Sequence, residues 1–260
     1  MQRNSITQNA LFNVVYKLLN ALFPLITATY TARILLPSGV GKVSYAQNIV
    51  TYFTYIAALG LPTYGTREIA RVRESKNDTN RVFSELFLIN FISTLICVVV
   101  YYLLVTFLYK ENDLILHYVA GISIILNFIN VDWVYQGFEE YKYISLRSIV
   151  VKIISVVAIF VFIQKQTDYI MYALIYCLAI AGNNIFNIIN LHKYVKIDFH
   201  VLCIKIHIKP LFVLLASSVA IELYTLLDTT MLGVMGSDEV VGYYSNAMKT
   251  TRIVITVLTA

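Results

Sequence analysis

Charge is what this sequence has least of. Lys, Arg, Asp and Glu make up 13% of its 260 residues, whereas soluble domains average about 25%. Apolar residues reach 58% and mean hydropathy is +0.71. A chain so short of charge has too little polar surface for water, and its composition is that of a membrane protein. The net charge of +5 is small and dispersed, which argues against nucleic acid as a partner. Cysteine is scarce as well: Cys97 and Cys177 lie in apolar runs and Cys203 in a basic loop. No pair has metal or redox spacing, so no disulfide is expected. No cleavable leader is expected either. The first apolar region is broken by Lys17, runs on to Arg33 and shows no clean small-residue cleavage site, so the first helix is expected to be retained.

Catalytic and metal motifs fail on inspection. G-V-G-K-V-S at 39–44 has Leu36 where a phosphate loop needs its first glycine, and Val43 follows the lysine. His192, His200 and His207 sit in a basic loop without helical or finger spacing, so neither a metal nor a cofactor is expected. Asp132, Glu139 and Glu140 lie at a membrane boundary with no histidine or ligand pattern beside them. The sequon at Asn77 falls on the side assigned below to the cytoplasm and is discounted.

What the sequence has in plenty is apolar runs of about 20 residues, the length that crosses a bilayer at 1.5 Å per residue. They fall near 11–31, 43–61, 86–108, 114–134, 146–164, 169–191, 210–235 and 242–260, with short links except 62–85 and 192–209. Basic residues in the links alternate in number. Twelve (Arg3, Arg67, Arg71, Arg73, Lys76, Arg81, Lys142, Arg147, Lys193, Lys196, Lys205, Lys209) fall on one side, and four (Arg33, Lys42, Lys110, Lys165) on the other. The positive-inside rule then places the N-terminus in the cytoplasm. The last run reaches Ala260 with no polar flank, which reads as a truncated protein.

Polar residues inside the runs form stripes. Asn13, Lys17, Asn20, Pro24, Thr27 and Thr31 follow one helical face, and so do Tyr45, Asn48, Tyr52 and Tyr55. Asn183, Asn187 and Asn190 make a third stripe; Ser218, Glu222, Thr225 and Thr229, with Asp228 alongside, a fourth; Ser245, Lys249, Arg252 and Thr256 a fifth. A lysine at mid-membrane costs roughly 2.5–3.5 kcal/mol on insertion scales, so ionisable groups there face a bundle interior or a watery cavity. Two blander readings stand beside this one. Asn, Ser and Thr stripes also serve as helix–helix glue, and lysines near helix ends snorkel, the better reading for Lys152. An ion pair of Lys249 or Arg252 with Glu222 is a third reading. Pro24 is expected to bend the first helix.

A weak internal repeat lays L-P-S-G-V-G-K-V-S-Y-A-Q-N (36–48) on S-D-E-V-V-G-Y-Y-S-N-A-M-K (237–249), matching Val40/Val241, Gly41/Gly242, Ser44/Ser245 and Ala46/Ala247. Six helices separate the copies, an even number, so they share one orientation. This is the pattern of a parallel repeat about an axis along the membrane normal.

The stretch N-V-D-W-V-Y-Q-G-F-E-E-Y-K-Y-I-S-L-R-S-I-V-V-K-I at 130–153 closely resembles the fourth-to-fifth helix segment of bacterial polysaccharide flippases, the O-antigen-type exporters. These belong to the superfamily of multidrug and toxin extrusion (MATE) transporters and the lipid II flippase. T-A-R-I-L-L-P-S-G-V-G (31–41) and G-L-P-T-Y-G-T-R-E-I-A-R (60–71) look like the same family's first and second links. The resemblance implies an all-α polytopic membrane protein with a MATE-like two-lobe bundle: a six-helix lobe over 1–191, a cytoplasmic link over 192–209, and over 210–260 the first two helices of a truncated second lobe. It implies a flippase in the bacterial inner membrane, multi-pass, moving undecaprenyl-diphosphate-linked oligosaccharide by alternating access. Its partners would be that lipid-linked substrate, membrane lipids, and polysaccharide polymerase and chain-length machinery. Lys17, Arg33, Lys249 and Arg252 are candidate cations for the diphosphate. Asn13, Asn20, Tyr45, Asn48 and Tyr52 are candidate sugar contacts, and Glu222 and Asp228 candidate coupling carboxylates. A MATE-type cation or drug exporter would favour a carboxylate-lined cavity, but cations here match the carboxylates. A membrane glycosyltransferase or polymerase would carry a large external loop, and the external links are short.

Overall fold

The computed structural model describes residues 26–109, 111–198 and 202–259. All regular structure among them is helical. The described part of α1 is residues 26–34; then come α2 (Leu36–Ala58), α3 (Leu61–Val72), α4 (Lys76–Leu108), α5 (Glu111–Asn127), α6 (Asp132–Gly137), α7 (Tyr141–Phe162), a 3-10 turn (Gln166–Asp168), α8 (Tyr169–Leu191), α9 (Lys205–Met235) and α10 (Asp238–Thr259). Among the described residues, five segments are long and apolar enough to cross a membrane: Lys76–Leu108, Asp113–Gly137, Tyr141–Phe162, Gln166–Leu191 and Lys205–Met235. The outward faces of α4 and α7 carry Leu95, Ile96, Leu103, Phe107, Ile154 and Phe162, all exposed, as lipid-facing surfaces require. The chain is an all-α polytopic membrane protein.

The helices differ from the sequence reading mainly at the links. The helix read as the second span, α2, begins at Leu36 rather than near 43, because Leu36 takes a left-handed φ of 58° and restarts the helix at once; neither it nor α10 is among the five. Pro37 then stands in the first turn, where its missing N–H leaves nothing unpaired. The 62–85 link is itself helical. Leu59 and Gly60, with φ of 50° and 74°, end α2 and turn the chain into α3, with Pro62 in the opening turn. A side chain at Gly60 would meet Leu214 Cβ at 2.7 Å, so both the backbone angle and the space call for glycine.

Two compact units divide the chain. One takes the chain up to Gln47, Tyr141–Ala179 and the chain from Asp228 onward; the other takes Asn48–Glu140 and Ile180–Leu227. The first has a core of Leu35, Val40, Ile159, Ile163 and Ile175, with Tyr30 packed against it and its hydroxyl donating to the Ile163 carbonyl at 2.8 Å. In the second, α3 and α6 pack small residues on large ones in both directions. A Cβ on Gly65 would lie 2.5 Å from the Trp133 ring, and one on Gly137 would lie 2.6 Å from Ile69. The pairs 65/69 and 133/137 are each one helical turn apart, so the two helices interlock.

At 33 residues α4 would run about 50 Å, beyond the ~30 Å hydrocarbon layer. Its first turns have another task, which is to hold the 192–209 link. Asn80 Oδ1 accepts from the Lys196 N–H (2.8 Å), Ser84 Oγ from Asp198 (2.7 Å) and Glu85 Oε1 from Cys203 (2.6 Å). Glu85 is fully buried and also takes the Nε2–H of His207 at 2.7 Å, while the other ring nitrogen of His207 meets the Tyr64 hydroxyl at 2.8 Å. Burial pushes the Tyr64 phenol up, with the Glu68 charge adding to it, so the group stays O–H and can donate. The histidine dismissed as a metal ligand is thus part of a buried Tyr–His–Glu chain joining α3, α4 and α9.

Removing a partner from such a buried pair strands the other. Glu85→Ala is therefore expected to cost roughly 3–5 kcal/mol, whereas Ser84→Ala, which loses one neutral bond, should cost about 0.5–1.5 kcal/mol. Thermal unfolding in detergent measures both, and equal small losses would refute the assignment.

Candidate functional site

The stripe residues fall into three sets. Asn13, Lys17 and Asn20 lie outside the described residues, as does the side chain of Arg252. Arg33, near the end of α1, is exposed; Tyr52, Glu222 and Lys249 are half-buried. Three more have partners that fix their role. Asn48, 4% exposed, donates its amide to the Leu226 carbonyl of α9 at 3.0 Å. Tyr45 lays its ring over Gly233, where any side chain would collide with it. Asp228 accepts from the Tyr244 hydroxyl of α10 at 2.7 Å.

The third stripe resolves toward glue at Asn187, which is fully buried. Its amide donates to the Asp132 carboxylate and its carbonyl accepts from Tyr135 at 2.6 Å. Asn184, which the sequence reading passed over, is also buried and donates to the Leu126 carbonyl at 2.8 Å. Neither Glu85 nor Asn184 was legible as a partner from periodicity alone, because what each meets is remote in sequence. The one available signal for Glu85 was a carboxylate set in the apolar run F-S-E-L-F.

The internal repeat has a direct counterpart in space. A Cβ on Gly41 would collide with the Asp238 carbonyl, and one on Gly242 with the Pro37 carbonyl. On the repeat alignment Gly41 corresponds to Gly242 and Pro37 to Asp238, so each copy touches the other through equivalent residues. That reciprocity is the mark of a two-fold contact, here within one chain. Val40 and Val241 are buried beside it, at 0% and 1% exposure, as is Ser245. Sequence periodicity gave only four identities; the crossing supplies the reason for the Gly/Gly pair, which is backbone against backbone.

Around this crossing the contacts are polar and partly wet. Lys42 Nζ stands 3.7 Å from Asp238 Oδ2, with side-chain exposures of 27% and 47%, and 5.8 Å from the Tyr169 ring centre. A solvent-screened pair of this kind is worth little. The contact at the two glycines is backbone against backbone, the close approach that small residues allow between helices. Among the described residues no cluster of three His, Cys, Asp or Glu side chains could hold a metal.

Comparison with known proteins adds the family. The chain is 28% identical over 169 residues to a protein of Escherichia coli (strain K12) named "Putative O-antigen transporter", covering 63% of this chain and 40% of that one. It is 24% identical over 234 residues to a protein of the same name from Shigella dysenteriae, covering 88% of this chain and 59% of that one. The chain thus spans about half the length of these curated relatives. No solved structure matches it. A family described as polysaccharide biosynthesis protein matches residues 6–260, and the chain belongs to that family.

Proposed function

We propose that this chain supplies the first lobe (1–191), the inter-lobe link (192–209) and the first two helices of the second lobe (210–260) of a flippase. Its substrate is an undecaprenyl-diphosphate-linked oligosaccharide, carried across the bacterial cytoplasmic membrane by alternating access. The observation that carries this reading is the reciprocal Gly41/Gly242 crossing. Two repeat copies related by an axis along the membrane normal, touching through bare backbone, make a gate on that axis. Belonging to the polysaccharide biosynthesis family and resembling transporters by name support the substrate class. The diphosphate is an anion that must cross a low-dielectric layer, and Lys17, Arg33, Lys249 and Arg252 are the cations proposed to meet it. Glu222 and Asp228 remain the proposed coupling carboxylates.

On this reading the N-terminus and the 62–85 link are cytoplasmic. A cysteine at Lys76 should resist an impermeant thiol reagent in intact cells, and one at Lys110 should react. Reaction at Lys76 from outside would overturn the topology.

The gate is tested by tethering it. In cells lacking their own O-antigen exporter, the chain carrying Lys42→Cys and Asp238→Cys, alone or continued to the length of its relatives, should cross-link with a short reducible reagent. Export should stop, and reduction should restore it. Continued export by the linked protein would remove the gate from the mechanism. Gly41→Ala should lower the cross-linking yield by forcing the helices apart. Gly39→Ala should lower it less, because its new methyl would meet Leu35 Cβ at 3.1 Å rather than collide with a carbonyl across the crossing.

For the cation, Lys17→Ala in the same cells should abolish export with insertion unchanged, and Lys17→Arg should keep much of it. A snorkelling lysine predicts a neutral or stabilising alanine. Wild-type export by Lys17→Ala at equal expression would remove Lys17 from the site.

A further inference from the structure

We infer that α4 clasps the 192–209 link and moors the start of α9, so that the link is a fixed strap during transport and not the part that flexes; the inference rests on the flippase reading. By position the link is the obvious hinge, since it joins one lobe to the next. Its contacts argue otherwise. Asn80, Ser84 and Glu85 follow one another within about a turn and a half of α4. They accept the backbone N–H groups of Lys196 at 2.8 Å, Asp198 at 2.7 Å and Cys203 at 2.6 Å. Those three link residues are themselves exposed. The helix therefore holds the link by its main chain and leaves the side chains outside.

The strap ends in a closed network. The Cys203 N–H and the Nε2–H of His207 take the two carboxylate oxygens of Glu85, and the Tyr64 hydroxyl donates to Nδ1 of His207. Glu85, His207 and Tyr64 are 0%, 1% and 4% exposed, and each of their polar side-chain atoms has its partner. A buried network satisfied in this way is rigid, and undoing it strands a carboxylate away from water. The burial along α9 points the same way. Its buried residues are His207 and Leu211, both near its start, while Ile206, Phe212 and Val213 beside them are exposed. A hinging link would break these contacts in every cycle. A strap keeps them.

Glu85 acts through the link rather than on substrate, which makes it a positioning residue, and its geometry can be separated from its charge. A glutamine in its place still accepts from the Cys203 N–H through Oε1 and offers an N–H to Nε2 of His207. The imidazole then carries its proton on Nδ1 and donates to the Tyr64 oxygen. The bonds survive without the charge. An alanine keeps none of them.

Two measurements test the strap. Hydrogen exchange at the Lys196, Asp198 and Cys203 amides of the purified chain in detergent should be slow. Glu85→Ala should speed Cys203 about tenfold or more, as expected for one buried hydrogen bond, and Glu85→Gln should leave it slow. Asn80→Ala, which frees the Lys196 amide alone, covers the case in which Glu85→Ala fails to fold. Exchange of all three amides at the rate of an unstructured chain would overturn the inference. The second measurement is export, in cells lacking their own O-antigen exporter, by the chain alone or continued to the length of its relatives. Ser84→Cys and Asp198→Cys are joined by a short reducible reagent in a Cys203→Ser background, which removes the exposed thiol and keeps the amide; Cys97 and Cys177 are buried. The joined protein should keep exporting. Export that stops on joining and returns on reduction would make the link the moving part and overturn the strap. Glu85→Gln should export and Glu85→Ala should not, at equal expression. Loss of export by Glu85→Gln with the Cys203 amide still slow would assign Glu85 a role through its charge and remove the positioning role. Exchange requires no transport, so the two readings fail separately: a chain that never exports removes the flippase, and the amides still decide the clasp.

Discussion

Hydrocarbon offers no hydrogen-bond partner, so every polar group that this chain carries into its helices has to be met by the chain itself. The solution recurs. Amide side chains donate to carbonyls of a neighbouring helix: Asn48 to Leu226, Asn90 to Phe128, Asn184 to Leu126. Tyrosines do the same, with Tyr101 donating to the His117 carbonyl and Tyr102 to that of Tyr118. Two of these acceptors, Leu126 and Phe128, flank the C-terminus of α5, where a helix always has carbonyls to spare. The break between α5 and α6 is thus stabilised by residues that a stripe analysis reads only as polar. At the water-facing end of α4 the same need is met in reverse, with side chains accepting from the backbone of a link.

How much of this could be read beforehand depends on the range of the interaction. Helix existence and type follow from local hydropathy, and the α8 bounds of 169–191 agree with the structure. Starts and links were harder. Leu36–Gly41 and Leu61–Val72 contain Pro and Gly, which read as loop by propensity. Tertiary packing turned both into helix: Gly65 makes room for Trp133, and Gly41 for the Asp238 backbone. The buried Tyr64–His207–Glu85 chain was illegible for a stricter reason. His207 is 122 residues from Glu85 and 143 from Tyr64, and no period links them.

The two kinds of glycine contact serve opposite ends. At α3 and α6 a glycine receives a large side chain, Trp133 or Ile69, and the fit is a lock: sliding either helix drives a ring or a branched carbon into backbone. At the Gly41/Gly242 crossing the atoms nearest each glycine are backbone, so the two helices approach as closely as their main chains permit. Both contacts depend on glycine. What differs is whether the partner presents bulk or backbone.

The same distinction bears on the most family-specific segment, D-W-V-Y-Q-G. Almost every residue in it has a packing duty: Asp132 takes the Asn187 amide, Trp133 fills the space at Gly65, Tyr135 reaches the Asn187 carbonyl, Gln136 accepts from Thr66 at 3.1 Å, and Gly137 admits Ile69. Val134 is fully buried. A motif so constrained would be held constant by the α3–α6–α8 junction even if it touched no substrate. Its presence therefore identifies the architecture more strongly than the chemistry. What the packing leaves unused here is small: the buried side-chain atom of this motif without a hydrogen-bond partner is the Trp133 indole nitrogen, and it is shut in by the same junction.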